Sequence, residues 1–394
     1  MNRRIYSKCR SGFHPALERG LSLIELMVAM TIGAVLIFGA TQVYVNSRQS
    51  YSVTESVARL QETARYALSV IEPDVRMAGY WGVLKGGDWL TASRTQTQAT
   101  GGTVAPGVAA NVCGDNFALD ASTDLQGDNN AYALSATRKA GCNTLTDIDT
   151  AIAWTTTPVT TADTLTVRRA SVFQSAPSPG TVQVCANRMN GFLFSTGLAT
   201  DCPPNPAMPP NVYELHNLIV NAYYVDRNSA QQAGLPSLRR KTLAMAGGVP
   251  VFRDQEIIPG VEDMQIQFGI DQTTTGTDPI TLQTHVQPNA IATRYVNADY
   301  IVASGVPANS QIVAVRIWLL VRSDTAEPGF TDDRVYTYGD RLPATGTTGN
   351  LNAAGNAGMA YQPAANPDAS TNGPRHVRRL LISRTIQVRN AQGT

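Results

Sequence analysis

The sequence predicts an α+β protein in which one long N-terminal helix is followed by a largely antiparallel β-sheet head with long loops. Three observations carry that expectation. From Leu26 to Val45 the chain holds no Lys, Arg, Asp or Glu. Beyond this run, Val53, Val57, Leu60, Ala64, Leu68 and Ile71 recur at spacings of three and four, which lines one face of a helix. The 394 residues include 32 Gly and 22 Pro, and after Pro73 the chain breaks into short segments rich in β-branched and aromatic residues.

At a rise of about 1.5 Å per residue, the uncharged run spans the roughly 30 Å hydrocarbon core of a bilayer. It is preceded by Arg3, Arg4, Lys8, Arg10 and Arg19 against a single Glu18. The positive-inside rule therefore puts residues 1–20 in the cytoplasm and the rest of the chain beyond the membrane. Residues 46–72 read as the amphipathic continuation of the helix, with Glu55 and Arg59 at i, i+4 and Glu62 and Arg65 at i, i+3 on its charged face. Pro73 disfavours helical geometry at Glu72, so the helix is expected to end there.

Glu25 conflicts with a plain membrane anchor. A carboxylate at the start of an apolar run costs several kcal/mol unless it is paired, so such a residue is usually functional. The stretch Arg19-Gly20-Leu21-Ser22-Leu23-Ile24-Glu25-Leu26 resembles the class III signal of type IV prepilins. That resemblance implies cleavage after Gly20 by a prepilin peptidase, methylation of Leu21 as the first mature residue, and retention of the apolar helix. Leu21 stands where major pilins usually have Phe, which leans toward a minor subunit. A carboxylate in the first turn offsets the positive end of the helix macrodipole and the new α-amine. In a filament of packed helices, Glu25 of one subunit would pair with the amine of the next. The competing expectation is a conventional secretory signal cut after the apolar run, near Gly39 and Ala40.

The head, residues 73–394, begins with the turn Gly79-Tyr80-Trp81-Gly82 and a loop-rich region over about 85–210. Strands are expected at 165–170, 182–186, 218–225, 238–243, 264–270, 312–321 and 377–388. Met264, Ile266, Phe268 and Ile270 alternate, which predicts a half-buried strand. Of the adjacent Tyr223 and Tyr224 at least one is expected in the core, and Trp318 is expected to be buried on both faces of its strand. Residues 344–374 read as a flexible surface loop.

Asn221-Ala222-Tyr223-Tyr224-Val225, Gly260-Val261-Glu262-Asp263-Met264-Gln265, Val315–Arg322 and the closing stretch from Arg378 to Asn390 resemble PilW-type minor pilins of type IV pili. The resemblance implies a subunit that helps to initiate pilus assembly near the filament tip. Its implied partners are other minor pilins, the major pilin, the prepilin peptidase and the inner-membrane assembly platform. It also implies an inner-membrane, single-pass protein with a periplasmic head. Two other readings share the N-terminal signal: a J-type minor pseudopilin of type II secretion, and an adhesive or sugar-binding head on a pilin stalk.

Cys9 lies in the leader, and Cys113, Cys142, Cys185 and Cys202 form an even set that fits a disulfide-permissive compartment. Three pairings are open, and the sequence-local one, Cys113 with Cys142 and Cys185 with Cys202, closes the shortest loops. None has C-x-x-C spacing, which argues against zinc and redox chemistry. His14, His216, His285 and His376 are scattered, and no nucleophile elbow or nucleotide-binding glycine motif occurs, so no enzyme, metal or cofactor is expected. Asp115, Asp120, Asp124 and Asp128 lack the spacing of a calcium loop and read as a solvated loop. A net charge of +1 gives no field for nucleic acid.

Overall fold

The computed structural model describes residues 22–84, 86–90, 96–97, 103–104, 123–130, 132, 159, 161–188, 191–194, 202, 213–246, 249–272, 276–277, 284–285, 290–299, 310–327, 329–341, 361, 363 and 375–392. The chain divides into two compact units, Met1–Glu55 and Ser56–Thr394. The expected leader, and all of the 344–374 loop except residues 361 and 363, lie outside the described residues.

Helix α1 runs from Leu23 to Arg76 and so continues past its expected end at Glu72, with Pro73 inside it. Proline removes one backbone donor and crowds the preceding turn, but tertiary contacts hold the final turn. Glu72 pairs with Arg76 in its own helix and with Arg384 of the last strand, the latter at 3.0 Å. Asp74, one residue after the proline, is 5% exposed and accepts four hydrogen bonds. The expected apolar stripe is buried from Leu60 through Ala64, Leu68 and Ile71, and Ala67 and Val75 extend it. Val57 is instead exposed.

The strands, in chain order, begin with the two-residue pieces β1 (Gln96–Thr97) and β2 (Thr103–Val104), then β3 (Leu125–Asp128), β4 (Thr164–Ala170), β5 (Gln183–Ala186) and β6 (Gly191–Phe194). There follow β7 (Glu214–Asp226), β8 (Ser237–Ala246), β9 (Val249–Pro259) and β10 (Val261–Gln272). The short β11 (Gly276–Thr277), β12 (Thr284–His285) and β13 (Arg294–Asn297) precede the long β14 (Ser310–Arg322) and β15 (Arg379–Gln387). A seven-stranded sheet has the order β3-β4-β7-β5-β6, with β8 on β7 and β9 on β8. A four-stranded sheet has the order β13-β10-β14-β15. Every pairing is antiparallel. The two sheets are joined at Gly260 between β9 and β10, where φ is +93° and a side chain would crowd the Arg322 carbonyl.

Strand β7 organises the interior because it is covered on both faces. Tyr223 and Val225 face the main core, made with Leu60–Val75 of α1 and the inner face of the four-stranded sheet. Leu218, Val220, Ala222 and Tyr224 face a second core with Trp81, Val184, Leu193 and Phe252. Both tyrosines of the adjacent pair are thus buried, one in each core, as the two-residue strand period requires. Trp81 is anchored by an Nε1–H donated to Asp124 at 3.0 Å. In the same turn Gly79 has φ +71°, and a side chain there would collide with the Asp124 carboxylate.

Strand β10 departs from the half-buried expectation. Met264, Ile266, Phe268 and Ile270 enter the main core, but Glu262, Asp263 and Gln265 are also buried. Their face is covered by residues 329–341, which contribute paired charges. Arg341 donates to both oxygens of Asp263 at 3.0 Å, and Tyr338 donates to Asp263 at 2.5 Å. Arg379 reaches Glu262 at 2.6 Å and Asp332 at 3.2 Å. Trp318 belongs to this side of β14 and is half-buried against Tyr336, Tyr338 and Tyr361, not enclosed on both faces of its strand. Nearby Asp163 accepts the backbone N–H groups of Asn130 and Ile266, each at 2.7 Å. Burial, reinforced by the Asp340 charge, holds its carboxyl well above the usual carboxylate range.

Two outcomes test this packing. Asp74→Ala should lower stability by about 3 to 5 kcal/mol, because Arg169 loses its buried partner, whereas Tyr223→Phe should cost only about 1 kcal/mol. Denaturant unfolding of the full chain in detergent separates the two. Because the native state holds a proton on Asp163 where the unfolded chain has lost it, this group adds stability as pH falls from its raised value toward about 4. Asp163→Asn should flatten that part of the stability profile.

Candidate functional site: the start of the helix

Ser22 and Glu25 close the first turn of α1 on itself. The Ser22 N–H donates to Glu25 Oε2 at 2.9 Å, and the Glu25 N–H donates to Ser22 Oγ at 3.2 Å. This reciprocal pair is a capping box, which satisfies two backbone donors that the helix leaves open at its N-terminus. It gives Glu25 a partner within its own chain that the charge argument did not anticipate. The sequence signal was present, since Ser-x-x-Glu ahead of an apolar run is the box's pattern. The carboxylate also sits where the helix dipole favours negative charge. Gly20 and Leu21 lie outside the described residues.

From Leu23 to Val45 the helix exposes a continuous apolar surface. Leu23 is 78% exposed and Phe38 74%, with Ile24, Met30, Val35, Leu36 and Ile37 similarly bare. The threonine hydroxyls along it are internally satisfied, Thr31 donating to the Val28 carbonyl and Thr41 to the Ile37 carbonyl, each at 2.8 Å. By length and composition this helix can cross a membrane. A helix with its backbone and threonine hydroxyls satisfied and its surface apolar suits lipid or other apolar helices.

The other residues singled out in the sequence occupy separate places. Cys185 and Cys202 form a disulfide with a Cα–Cα distance of 5.7 Å, packed against Phe192, Tyr213 and Leu215. Cys113 and Cys142 lie outside the described residues, as do Asp115 and Asp120. Asp124 and Asp128 serve structure and not a solvated loop, Asp124 accepting from Trp81 and Asp128, the last residue of β3, accepting from Thr164. His216 is buried, with Nδ1 2.7 Å from the Ser171 carbonyl and Nε2 3.3 Å from Glu214. Among the described residues no group of three or more His, Cys, Asp or Glu is placed to hold a metal ion. Sequence reasoning did not find Asp74, Arg341 or Arg379. Each acquires its buried partners only through tertiary contact.

Residues 16–41 match the family model described as Prokaryotic N-terminal methylation motif. Residues 222–390, from the middle of β7 to the end of the chain's last strand and the turn after it, match Type IV Pilus-assembly protein W. With an apolar helix followed by an antiparallel β head, the two matches support a type IV pilin-family protein that carries a PilW domain. Among solved structures, a type IV-like pilin from Thermus thermophilus is 14% identical, with 54% of this chain and 86% of that chain covered at a TM-score of 0.19. So low a score bears on neither fold nor function. No curated protein matches the chain.

The capping box predicts distinct effects for three variants. Ser22→Ala and Glu25→Ala should each destabilise the first turn, by about 1 kcal/mol for loss of the serine cap, and speed amide exchange at Leu23–Leu26 in detergent. Glu25→Gln should leave that exchange near the wild-type rate, because glutamine also closes the box.

Proposed function

We propose that the protein is a minor pilin that takes part in the assembly or initiation of a type IV pilus. The observation that carries this reading is the joining, in one chain, of the N-terminal methylation motif at 16–41 and the PilW domain at 222–390. In this reading the prepilin peptidase cuts between Gly20 and Leu21, and Leu21 is methylated. The apolar half of α1 first holds the protein in the inner membrane with its head in the periplasm. The same surface then packs against helices of the major pilin and other minor pilins. Exchange of lipid for apolar helices needs no new burial of charge except at Glu25, and that explains the need for a partner there.

Glu25 has two uses in sequence. In a subunit still in the membrane, its carboxylate is held by the Ser22 N–H, one residue from the proposed new amine. In the filament it would exchange or share that bond with the α-amine of a neighbouring subunit. A charged pair inside an apolar helix bundle is costly to leave unmade, so the pairing would select the register in which the next subunit docks. The disulfide between Cys185 and Cys202 agrees with a periplasmic head.

The test is the mass and N-terminal sequence of protein extracted from membranes of cells with and without the peptidase. A methylated N-terminus at Leu21 that depends on the peptidase is expected. A start near Thr41 in both strains would overturn the reading. Glu25→Gln should enter purified pili at least about tenfold less than wild type, a loss of roughly 1.4 kcal/mol. Incorporation at the wild-type level would show that charge at Glu25 is not what recruits the neighbouring subunit.

A further inference from the structure

Among the described residues, strand β15 is a free edge of the four-stranded sheet, and it differs from the other long edge in the head. The seven-stranded sheet ends on β9, which carries Pro250 and Pro259 and pairs with β8 through an interrupted register. Proline and irregular register are devices that blunt an edge against further pairing. The remaining edges, β3, β6 and β13, are four residues each. In contrast, β15 has nine residues, no proline, and an unbroken register with β14 from Arg379 opposite Arg322 to Gln387 opposite Ala314.

Two hydrogen bonds fix which backbone groups face outward. The Val388 N–H donates to the Val313 carbonyl at 2.9 Å, and the Ser323 N–H donates to the Arg378 carbonyl at 2.9 Å. In an antiparallel ladder the bonded residues alternate, so the even-numbered residues of β15 are tied to β14. The N–H and C=O groups of Leu381, Ser383, Thr385 and Gln387 point away from it. Ser383, Thr385 and Gln387 are exposed. This is a row of donors and acceptors with the spacing of a strand.

The charge beside this edge selects what can fill it. Arg384 is exposed and pairs with Glu72 at 3.0 Å, and the same carboxylate also pairs with Arg76. Glu72, Arg76 and Arg389 line one cleft with Ser69, Pro73 and Met77. Two guanidinium groups therefore share one carboxylate, and a third, that of Arg389, lines the same cleft. The Ser69 carbonyl at this place has no helical donor, since Pro73 lacks an N–H. An antiparallel second copy of β15, centred on its exposed segment, would set Arg384 against Arg384, and like charges directly opposite destabilise a strand pair.

We propose that the outer edge of β15 accepts an extended, acidic strand of another protein, which adds a fifth strand to the four-stranded sheet. Backbone bonds to Leu381, Ser383, Thr385 and Gln387 supply the pairing. Carboxylates at alternate positions of the added strand lie on the face of Arg384 and meet the cluster it forms with Arg76 and Arg389. That this protein is another subunit of the pilus rests on the function proposed above. The edge pairing does not rest on it, so the two can fail separately.

The experiment uses the full-length protein in detergent micelles, titrated with two synthetic peptides as long as β15, one alternating Val and Glu and one alternating Val and Lys. Amide exchange at Leu381, Ser383, Thr385 and Gln387 should slow with the acidic peptide, which should bind at least about tenfold tighter than the basic one. The amides of β9 should not respond. Thr385→Pro removes one outward N–H and no backbone bond to β14, only the side-chain bond from Arg316, which Thr385→Val removes as well, so it should abolish peptide binding while exchange at Arg384 and Ile386 stays protected. Thr385→Val should bind as wild type does. Absence of protection with the acidic peptide would overturn the proposal, as would equal affinity for the two peptides. Protection that grows with protein concentration alone, and is lost in Thr385→Pro, would assign the edge to a second copy and also overturn it.

Discussion

One buried carboxylate ties the last turn of the helix to the seven-stranded sheet. Asp74, in the last turn of α1, takes hydrogen bonds from Arg169 of β4 at 2.7 Å and from Asn221 and Tyr223 of β7 at 2.6 and 2.5 Å. Asn221 in turn accepts from Thr242 of β8 at 2.8 Å, so one contact spans the helix and three adjacent strands. A buried ion pair of this kind contributes little compared with well-packed apolar groups, but removing one partner is expensive. Such a constraint specifies position more than it adds stability. It explains why the helix runs through Pro73 and why the Tyr223 hydroxyl, buried beside a carboxylate, has its pKa raised far beyond the usual tyrosine range.

The same logic recurs on the far side of the four-stranded sheet. Apolar residues of β10 fill the main core, and the polar residues between them are covered by residues 329–341 through Asp263, Arg341, Glu262 and Arg379. An open sheet would leave that face to water. Here its charges are desolvated in pairs, with a fixed fork of guanidinium donors on each carboxylate. The result is a head with apolar contacts inside and a layer of matched charges beneath its outer covering.

The segment at the start of α1 obeys different physics. Its apolar side chains are exposed, its threonine hydroxyls are bonded to its own carbonyls, and Ser22 and Glu25 cap it. Nothing in that segment needs a protein core to be stable. It needs an apolar medium, which lipid and a bundle of other helices both supply. The PilW-type head and this segment thus meet opposite requirements within one chain.

The sequence by itself determined the parts governed by local rules. Helical periodicity and the uncharged run placed α1, and two-residue alternation with turn residues placed β4, β5, β7, β8, β10, β14 and β15. The stretch from Arg19 to Leu26 marked the N-terminal segment because its motif and the apolar run after it are patterns among near neighbours. Strand β9 was not legible, since Pro250, Pro259 and the polar run Arg253-Asp254-Gln255-Glu256 look like a loop until β8 lies beside them. Only the tertiary structure decided the helix end, the burial of β10 on both faces, the half-exposure of Trp318 and the roles of Asp74, Asp163, Arg341 and Arg379. Each of these is set by partners from other elements of the chain, and no local pattern encodes which distant group will arrive.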